Sequence, residues 1–261
     1  MWRGLIGSTP DIGYCVVEKS SLEAAFSMKE PVIGLRFASE DLTDFITAES
    51  RFADCRFNDC VFDGAKIREC EFIGCSFSNC SFKEAEFFNC IFVDRETQAG
   101  SAWNYCDLNE AKFKACNLSN NRIVKCEAFL LEITDSSAVG LQFDAEVHRK
   151  ISKRMMFGGV VLQRCKLQYA VFAASSYEES RFESCDLRDC SFVESNLSRV
   201  SLMGSSLNNI DFTGATLDFA NLSQATFDEM DLAAMASFKG MTVSRDQHEN
   251  LLRSMGILTS G

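Results

Sequence analysis

The sequence predicts an all-β solenoid wound as a four-sided coil, and three observations predict it. Bulky apolar residues recur at every fifth position through Phe52, Phe57, Phe62, Ile67, Phe72, Phe77, Phe82, Phe87 and Phe92. A small residue stands two places before each: Ser50, Cys55, Cys60, Ala65, Cys70, Cys75, Cys80, Ala85 and Cys90. The remaining positions are mostly polar, as in Asn58-Asp59 and Arg68-Glu69. A period of five matches neither the 3.6 of a helix nor the 2 of an exposed strand. It marks a repeat, and one repeat cannot bury its own apolar residue without stacked neighbours. Four fives per turn give a square coil of about 20 residues. Ala65 and Ala85, both breaks in the cysteine column, are spaced by one such coil. This register puts Phe52, Phe72 and Phe92 on one side, and Phe37, Phe57 and Phe77 on another.

Residues 1–34 are off the repeat. Ser20-Ser21-Leu22-Glu23 reads as a capping box opening a helix through Met28, which Pro31 would stop. The segment is expected to cap the open N-terminal end of the stack; a partly disordered leader is the alternative. The solenoid is expected over residues 35–243. Its first block runs Phe37, Leu42, Thr47 and then the series above. Acidic residues outnumber basic ones 11 to 5 over 37–92.

After Phe92 the phase breaks, and the next centre, Leu108, comes one place later than three fives would put it. A loop near residues 93–102 is expected there, with Trp103 resuming the stack. The second block runs Leu108, Phe113, Leu118, Ile123, Ala128, Ile133, Ala138 and Phe143, with Leu131 and Leu141 enlarging the small column. From Phe143 to Phe157 the spacing is two fives plus four. The segment 144–156 carries His148, Arg149, Lys150, Lys153 and Arg154 with only Asp144 and Glu146, and it ends on Met155-Met156. It is basic on an acidic protein. Insertions in solenoids often mark a binding face, so a partner-binding loop is favoured over a merely solvated one. The third block starts at Phe157 or Leu162 and runs in step to Leu232; residues 157–243 hold 11 acidic against 6 basic residues. Residues 244–261 open on Ser244-Arg245-Asp246-Gln247, a second capping box, and predict a helix to about Met255 that Gly256 stops. Leu251, Leu252, Met255 and Ile257 offer more apolar surface than one coil end needs. The helix either caps only or, as favoured here, caps and pairs with a second copy.

Twelve of the 13 cysteines fall in the small column, Cys15 being the exception, and no C-x-x-C occurs. They read as small buried hydrophobes rather than zinc ligands or disulfides, in a reducing compartment. Net charge is −11, which disfavours direct nucleic-acid binding. No apolar run approaches the length of a membrane-spanning helix and no signal-peptide pattern occurs, so a cytoplasmic protein without membrane contact is expected. The two histidines, His148 and His248, have no phased Ser or Cys partner, and no phosphate-binding or dinucleotide motif is present. The expectation is a non-enzyme without cofactor or metal.

The repeat resembles the pentapeptide repeat family over roughly residues 35–243, which implies a right-handed quadrilateral β-helix with a short C-terminal α-helix. The first break, Phe88 to Gly100, resembles the first loop of the Qnr quinolone-resistance proteins, as do Phe113-Lys114-Ala115-Cys116-Asn117-Leu118 and Leu131-Glu132-Ile133. The second break falls where those proteins carry a second, larger loop. Leu251-Leu252-Arg253-Ser254-Met255-Gly256-Ile257 resembles their C-terminal dimerisation helix. The resemblance implies a dimeric rod that mimics duplex DNA, binds DNA gyrase and topoisomerase IV, and relieves fluoroquinolone poisoning. It implies partner contacts from loop one (Asp94, Arg95, Glu96, Thr97, Gln98, Ala99, Gly100, Ser101) and loop two (Asp144, Glu146, His148, Arg149, Lys150, Lys153, Arg154, Met155, Met156). It also implies dimer contacts from Leu251, Leu252, Met255 and Ile257. This chain has more coils before its first loop than those proteins do. About nine coils at ~4.8 Å make a rod of about 43 Å. Eleven net charges on it are sparser than the charge every ~1.7 Å of duplex DNA, so mimicry must rest on local acidic stripes. The alternatives are a passive interaction scaffold, or immunity against a gyrase-directed peptide toxin.

Overall fold

Twenty residues make one coil. In the computed structural model, which describes residues 21–150 and 156–257, Phe37 pairs in parallel register with Phe57 and Phe57 with Phe77. The chain is a right-handed quadrilateral β-helix, the hand that parallel crossovers take. Two of its sides are seven-stranded parallel ladders, a shorter ladder has three strands, and isolated bridges continue the stacking elsewhere. The first side stacks Phe37, Phe57, Phe77, Trp103, Ile123, Phe143 and Phe172. The second holds Leu42, Phe62, Phe82 and Leu108; the third Thr47, Ile67, Phe87, Phe113, Ile133 and Leu162; the fourth Phe52, Phe72, Phe92 and Leu118.

The rings stack because identical centres sit one coil apart. Phe57 and Phe77 are 4.8 Å apart at 14°, Phe62 and Phe82 4.8 Å at 4°, and Phe77 and Trp103 4.3 Å at 23°. Such aromatic pairs add about 0.5–1.5 kcal/mol each to the burial of their area. Corners need a left-handed residue, so Asp54, Asp59, Asn79 and Asn89 adopt φ of 53–54°. Asn and Asp are among the few L-residues that tolerate this region.

The small column has a chemical logic beyond size. Cys75 Sγ lies 3.6 Å from Phe52 O, Cys80 3.4 Å from Phe57 O and Cys90 3.4 Å from Ile67 O, each the carbonyl of a centre one coil below. Alanine replaces cysteine at Ala65 and Ala85, where the carbonyls one coil below, Leu42 O and Phe62 O, already accept from Phe45 N and Ala65 N. Burial pushes the Cys70 thiol up to about 11 and Cys190 up to about 12, so both stay protonated. The twelve column cysteines are buried and free; Cys15 lies outside the described residues.

Both ends are closed by short helices. At the N-terminal end α1 (Leu22–Phe26) starts at Ser21, whose hydroxyl accepts from Ala24 N at 3.2 Å; Ser20 lies outside the described residues. Phe26 plugs the first coil, with ring centroids 4.7 Å from Phe52 and 5.4 Å from Phe45. At the other end a 3-10 turn (Arg245–Gln247) leads into α2 (His248–Ser254). Gln247 is buried and donates to Leu222 O and Ala225 O, while Asn250 donates to Phe227 O. These amides satisfy carbonyls that have no further coil to pair with.

Four breaks in the stack differ from the sequence count, the smallest being a register shift between Val124 and Cys126 that pairs Glu127 with Glu146 at nineteen residues. Phe77 pairs with Trp103, six places beyond a full coil, so the first insertion is six long and not one. Ile133 pairs with Leu162, nine places beyond a full coil, so the second is nine long and not four. Phe157 is therefore no repeat centre; its ring is 48% exposed on the insertion. Thr216 pairs with Ser237, one place beyond a full coil, so a single extra residue is let in beside the short 3-10 turn Leu232–Ala234.

Candidate functional site

The outward residues are distributed unevenly among the four sides. The second side carries Asp41, Asp44, Asp63, Glu84, Asp107, Glu110, Glu127, Glu146, Glu178, Glu179 and Asp218 against Lys83, Arg199 and Lys239. All of these carboxylates are exposed or half-buried. Asp107, Glu127 and Glu146 stand in direct register on successive coils, about 4.8 Å apart. From Leu42 to Leu217 the side spans about 38 Å, which gives one carboxylate per ~3.5 Å. A single DNA strand carries one phosphate per ~3.4 Å of axis. The few cations neutralise only some of these groups: Lys83 meets Asp107 at 3.1 Å and Arg199 meets Glu178 at 3.1 Å.

The first insertion leaves the corner between the fourth and first sides. Val93 and Gly100 bridge its base, and Asp94 N donates to Ala99 O at 2.9 Å. The Asp94 carboxylate accepts from Glu96 N at 2.8 Å and Thr97 N at 2.6 Å, and bonds to Thr97 and Glu96 hold its pKa below the usual carboxylate range. Asp94 is thus a holder of the loop. Arg95, Glu96, Thr97, Gln98 and Ala99 are exposed. Gly100 has no room for a Cβ, which would meet Asn120 O. Ser101 is corrected: it is 1% exposed in the small column, donates to Phe72 O at 2.6 Å, and belongs to the wall.

The second insertion leaves the opposite corner, between the second and third sides, and is a hairpin rather than an open loop. His148–Lys150 pairs antiparallel with Met156–Gly158. Asp144 and Glu146 are corrected from loop to wall: they lie in the strand Gln142–Glu146, whose Ala145 faces the core, and Val147 beyond it is fully buried. His148 is also 8% exposed, and its Nε2 donates to Glu178 O at 2.9 Å, so it anchors the hairpin instead of presenting itself. Arg149 is exposed, lies 4.4 Å over the Phe129 ring and reaches Glu110 at 3.9 Å. Phe157 packs edge-on to Phe129 at 6.0 Å. The hairpin therefore lies back over the acidic side. Lys150 and Met156 enter its ladder through their backbones, and Lys153, Arg154 and Met155 fall outside the described residues.

Two buried asparagines hold these insertions, and the repeat pattern marks neither as functional. Asn121 occupies a small-column position one coil above loop one. Its amide donates to Phe92 O, before the loop, and its oxygen accepts from Trp103 Nε1, after it, each at 3.0 Å. Asn109 accepts from Phe129 N at 2.8 Å and donates to Glu127 at 3.1 Å, which fixes the platform under Arg149 and Phe157. The available signal for Asn121 was a long amide in a column of Cys, Ala and Ser. In α2, Leu251 and Leu252 are half-buried and Leu251 packs on the core, whereas Met255 and Ile257 are 59% and 46% exposed. Among the described residues no His, Cys, Asp and Glu cluster is placed to hold a metal, and no helix is long and apolar enough to cross a membrane.

A family model for pentapeptide repeats matches residues 55–92 and, in overlapping copies, 165–202, 180–218 and 195–232. No curated protein sequence matches the chain. Among solved structures, a trypsin-treated variant of QnrB1, a plasmid-mediated fluoroquinolone resistance protein, is similar with a TM-score of 0.73 at 23% identity, covering 90% of this chain and 100% of that one. A second trypsin-treated variant gives 0.67 at 23% over 88% and 100%, and full-length QnrB1 gives 0.63 at 24% over 87% and 100%. At this identity the likeness is one of fold.

Proposed function

We propose that this pentapeptide-repeat protein, similar in fold to QnrB1, is a non-enzymatic mimic of duplex DNA that binds DNA gyrase and protects it from fluoroquinolones, with topoisomerase IV as a second partner. The observation that carries the reading is the second side, where carboxylates recur at close to the phosphate spacing of one DNA strand. A cleft built to receive DNA is positive, and such a stripe fits it. Arg149 and the hairpin border this stripe at the corner between the second and third sides, while Arg95 to Ala99 project from the diagonally opposite corner; both are proposed to contact the partner and set the register of docking. Met255 and Ile257 are proposed to join two copies end to end, which would give a rod of about 90 Å.

The test is a supercoiling assay of gyrase with ciprofloxacin, with and without the protein. Rescue is expected from the unaltered protein. It should be lost in a triple variant Asp107→Lys, Glu127→Lys, Glu146→Lys, and in a variant lacking residues 148–158. Absence of rescue at every concentration, together with absence of gyrase binding, rejects the reading. Binding without rescue leaves only an interaction scaffold.

A further inference from the structure

The third side carries a feature that the acidic stripe does not use. Lys66, Glu86 and Lys112 stand in one outward row on successive coils, and Arg68, Phe88 and Lys114 stand in the row beside it. Together with Phe87 they line an open depression of about 370 Å³, to which Lys66 alone does not contribute. Phe88 is 43% exposed at a position that the repeat otherwise fills mostly with polar or small residues. Among the described residues, none of Lys66, Arg68, Lys112 and Lys114 makes an ion pair within 4.0 Å. Three cations around an exposed ring, with Lys66 one coil from Glu86 beyond the depression, are left without an ion-pair partner among the described residues, on a chain of net charge −11.

We infer that this depression is a docking site for an acidic peptide segment, an extended stretch in which carboxylates flank one apolar side chain. The rows span three coils, about 10 Å, the length of about three extended residues. Arg68 and Lys114 sit one coil to either side of Phe88, so an apolar side chain on the ring places the carboxylates two residues to either side of it, which share its face of an extended peptide, over the two cations. Arg68 can hold a carboxylate in bidentate fashion. A nucleic acid fits worse. Glu86 stands within the depression, the acidic second side adjoins it, and a continuous polyanion would meet both. The site is separate from the proposed gyrase surface and stands whether or not that reading holds.

The experiment titrates full-length protein into a fluorescein-labelled Glu-Asp-Phe-Asp-Glu peptide and follows anisotropy. Saturable binding that weakens with added salt is expected, with none for a Lys-Lys-Phe-Lys-Lys peptide. The double variant Lys112→Glu, Lys114→Glu and the single variant Phe88→Ser should each lose at least about tenfold in affinity. Lys114→Gln should lose less and Glu86→Gln should bind more tightly, a graded series that misfolding would not produce. The proposal is overturned if the acidic peptide does not saturate, or if the variants bind it equally. It is also overturned if duplex DNA displaces the peptide more strongly than unlabelled peptide does. Self-association of the protein that the double variant abolishes would assign the site to a second copy and overturn it too.

Discussion

Replacing Asn121 with alanine tests how the first insertion is held. The side chain is 0% exposed and spans the base of the loop, reaching Phe92 O, Ser119 O and Trp103 Nε1 at 3.0, 3.2 and 3.0 Å. Alanine leaves the buried indole N–H of Trp103 without an acceptor, which costs about 1–3 kcal/mol. Phe92 O keeps its bond from Ser101 N at 2.9 Å, so its loss is the smaller one, about 0.5–1.5 kcal/mol. The expected total is about 2–4 kcal/mol. Urea unfolding should show a lower midpoint with an unchanged slope. Amide exchange at Glu96 to Ala99 should accelerate at least about tenfold as the loop base loosens. Asn104→Ala, half-buried on the same coil and without a side-chain bond, should stay within about 0.5 kcal/mol. A loss below about 1 kcal/mol in Asn121→Ala would refute the assignment of this amide as the staple. So would a full loss of stability with unchanged loop exchange.

Gly158→Ala should displace the hairpin, because a Cβ there would come within 2.8 Å of His148 Cα and 3.1 Å of the Phe129 ring; trypsin should then cut near Arg149 faster than in the unaltered protein. Glu183 is held down to about 2, chiefly by Arg181, whose Nη2 donates to it at 2.8 Å. Its folded pKa is below the unfolded value, so this stability is present above about pH 4.5 and is lost as pH falls toward 2. With the carboxylate 21% exposed and screened by solvent, about 1–2 kcal/mol is expected. Glu183→Gln should flatten the urea midpoint over that pH window. Met255→Glu with Ile257→Glu should shift the protein toward monomer in analytical ultracentrifugation without lowering its melting temperature, since both side chains are already exposed. The twelve column thiols should stay unreactive to an aromatic disulfide reagent until the chain unfolds, because they are buried.

The repeat was legible because the fold repeats the same local environment. Each five residues must supply one bulky centre, one small residue and a corner, and Phe57, Cys60 and Asp59 show all three. The insertions were legible in place but not in size. A phase break reports extra residues only modulo five, so six looked like one before Trp103 and nine looked like four before Leu162. The hairpin was hidden for the same reason: Phe157 happened to fall near phase and read as a centre. Ser101 and His148 adjoin polar runs, which predicts a surface position, yet their side chains turn inward to Phe72 O and Glu178 O.

By itself the sequence determined the four-sided coil, the partition of inward and outward residues, and the places where the phase breaks. These follow from periodicity, which is a property of neighbours along the chain. Only the tertiary structure decided which carboxylates share a side. The twenty-residue repeat already groups Asp107 with Glu127, but Glu146 comes nineteen places on and falls out of that count. The coil of twenty residues pairs Asp107 with Glu127, and a register shift between Val124 and Cys126 pairs Glu127 with Glu146 at nineteen, which sets the three about one strand spacing apart. The same winding brings Arg68, Phe88 and Lys114 side by side on a different wall.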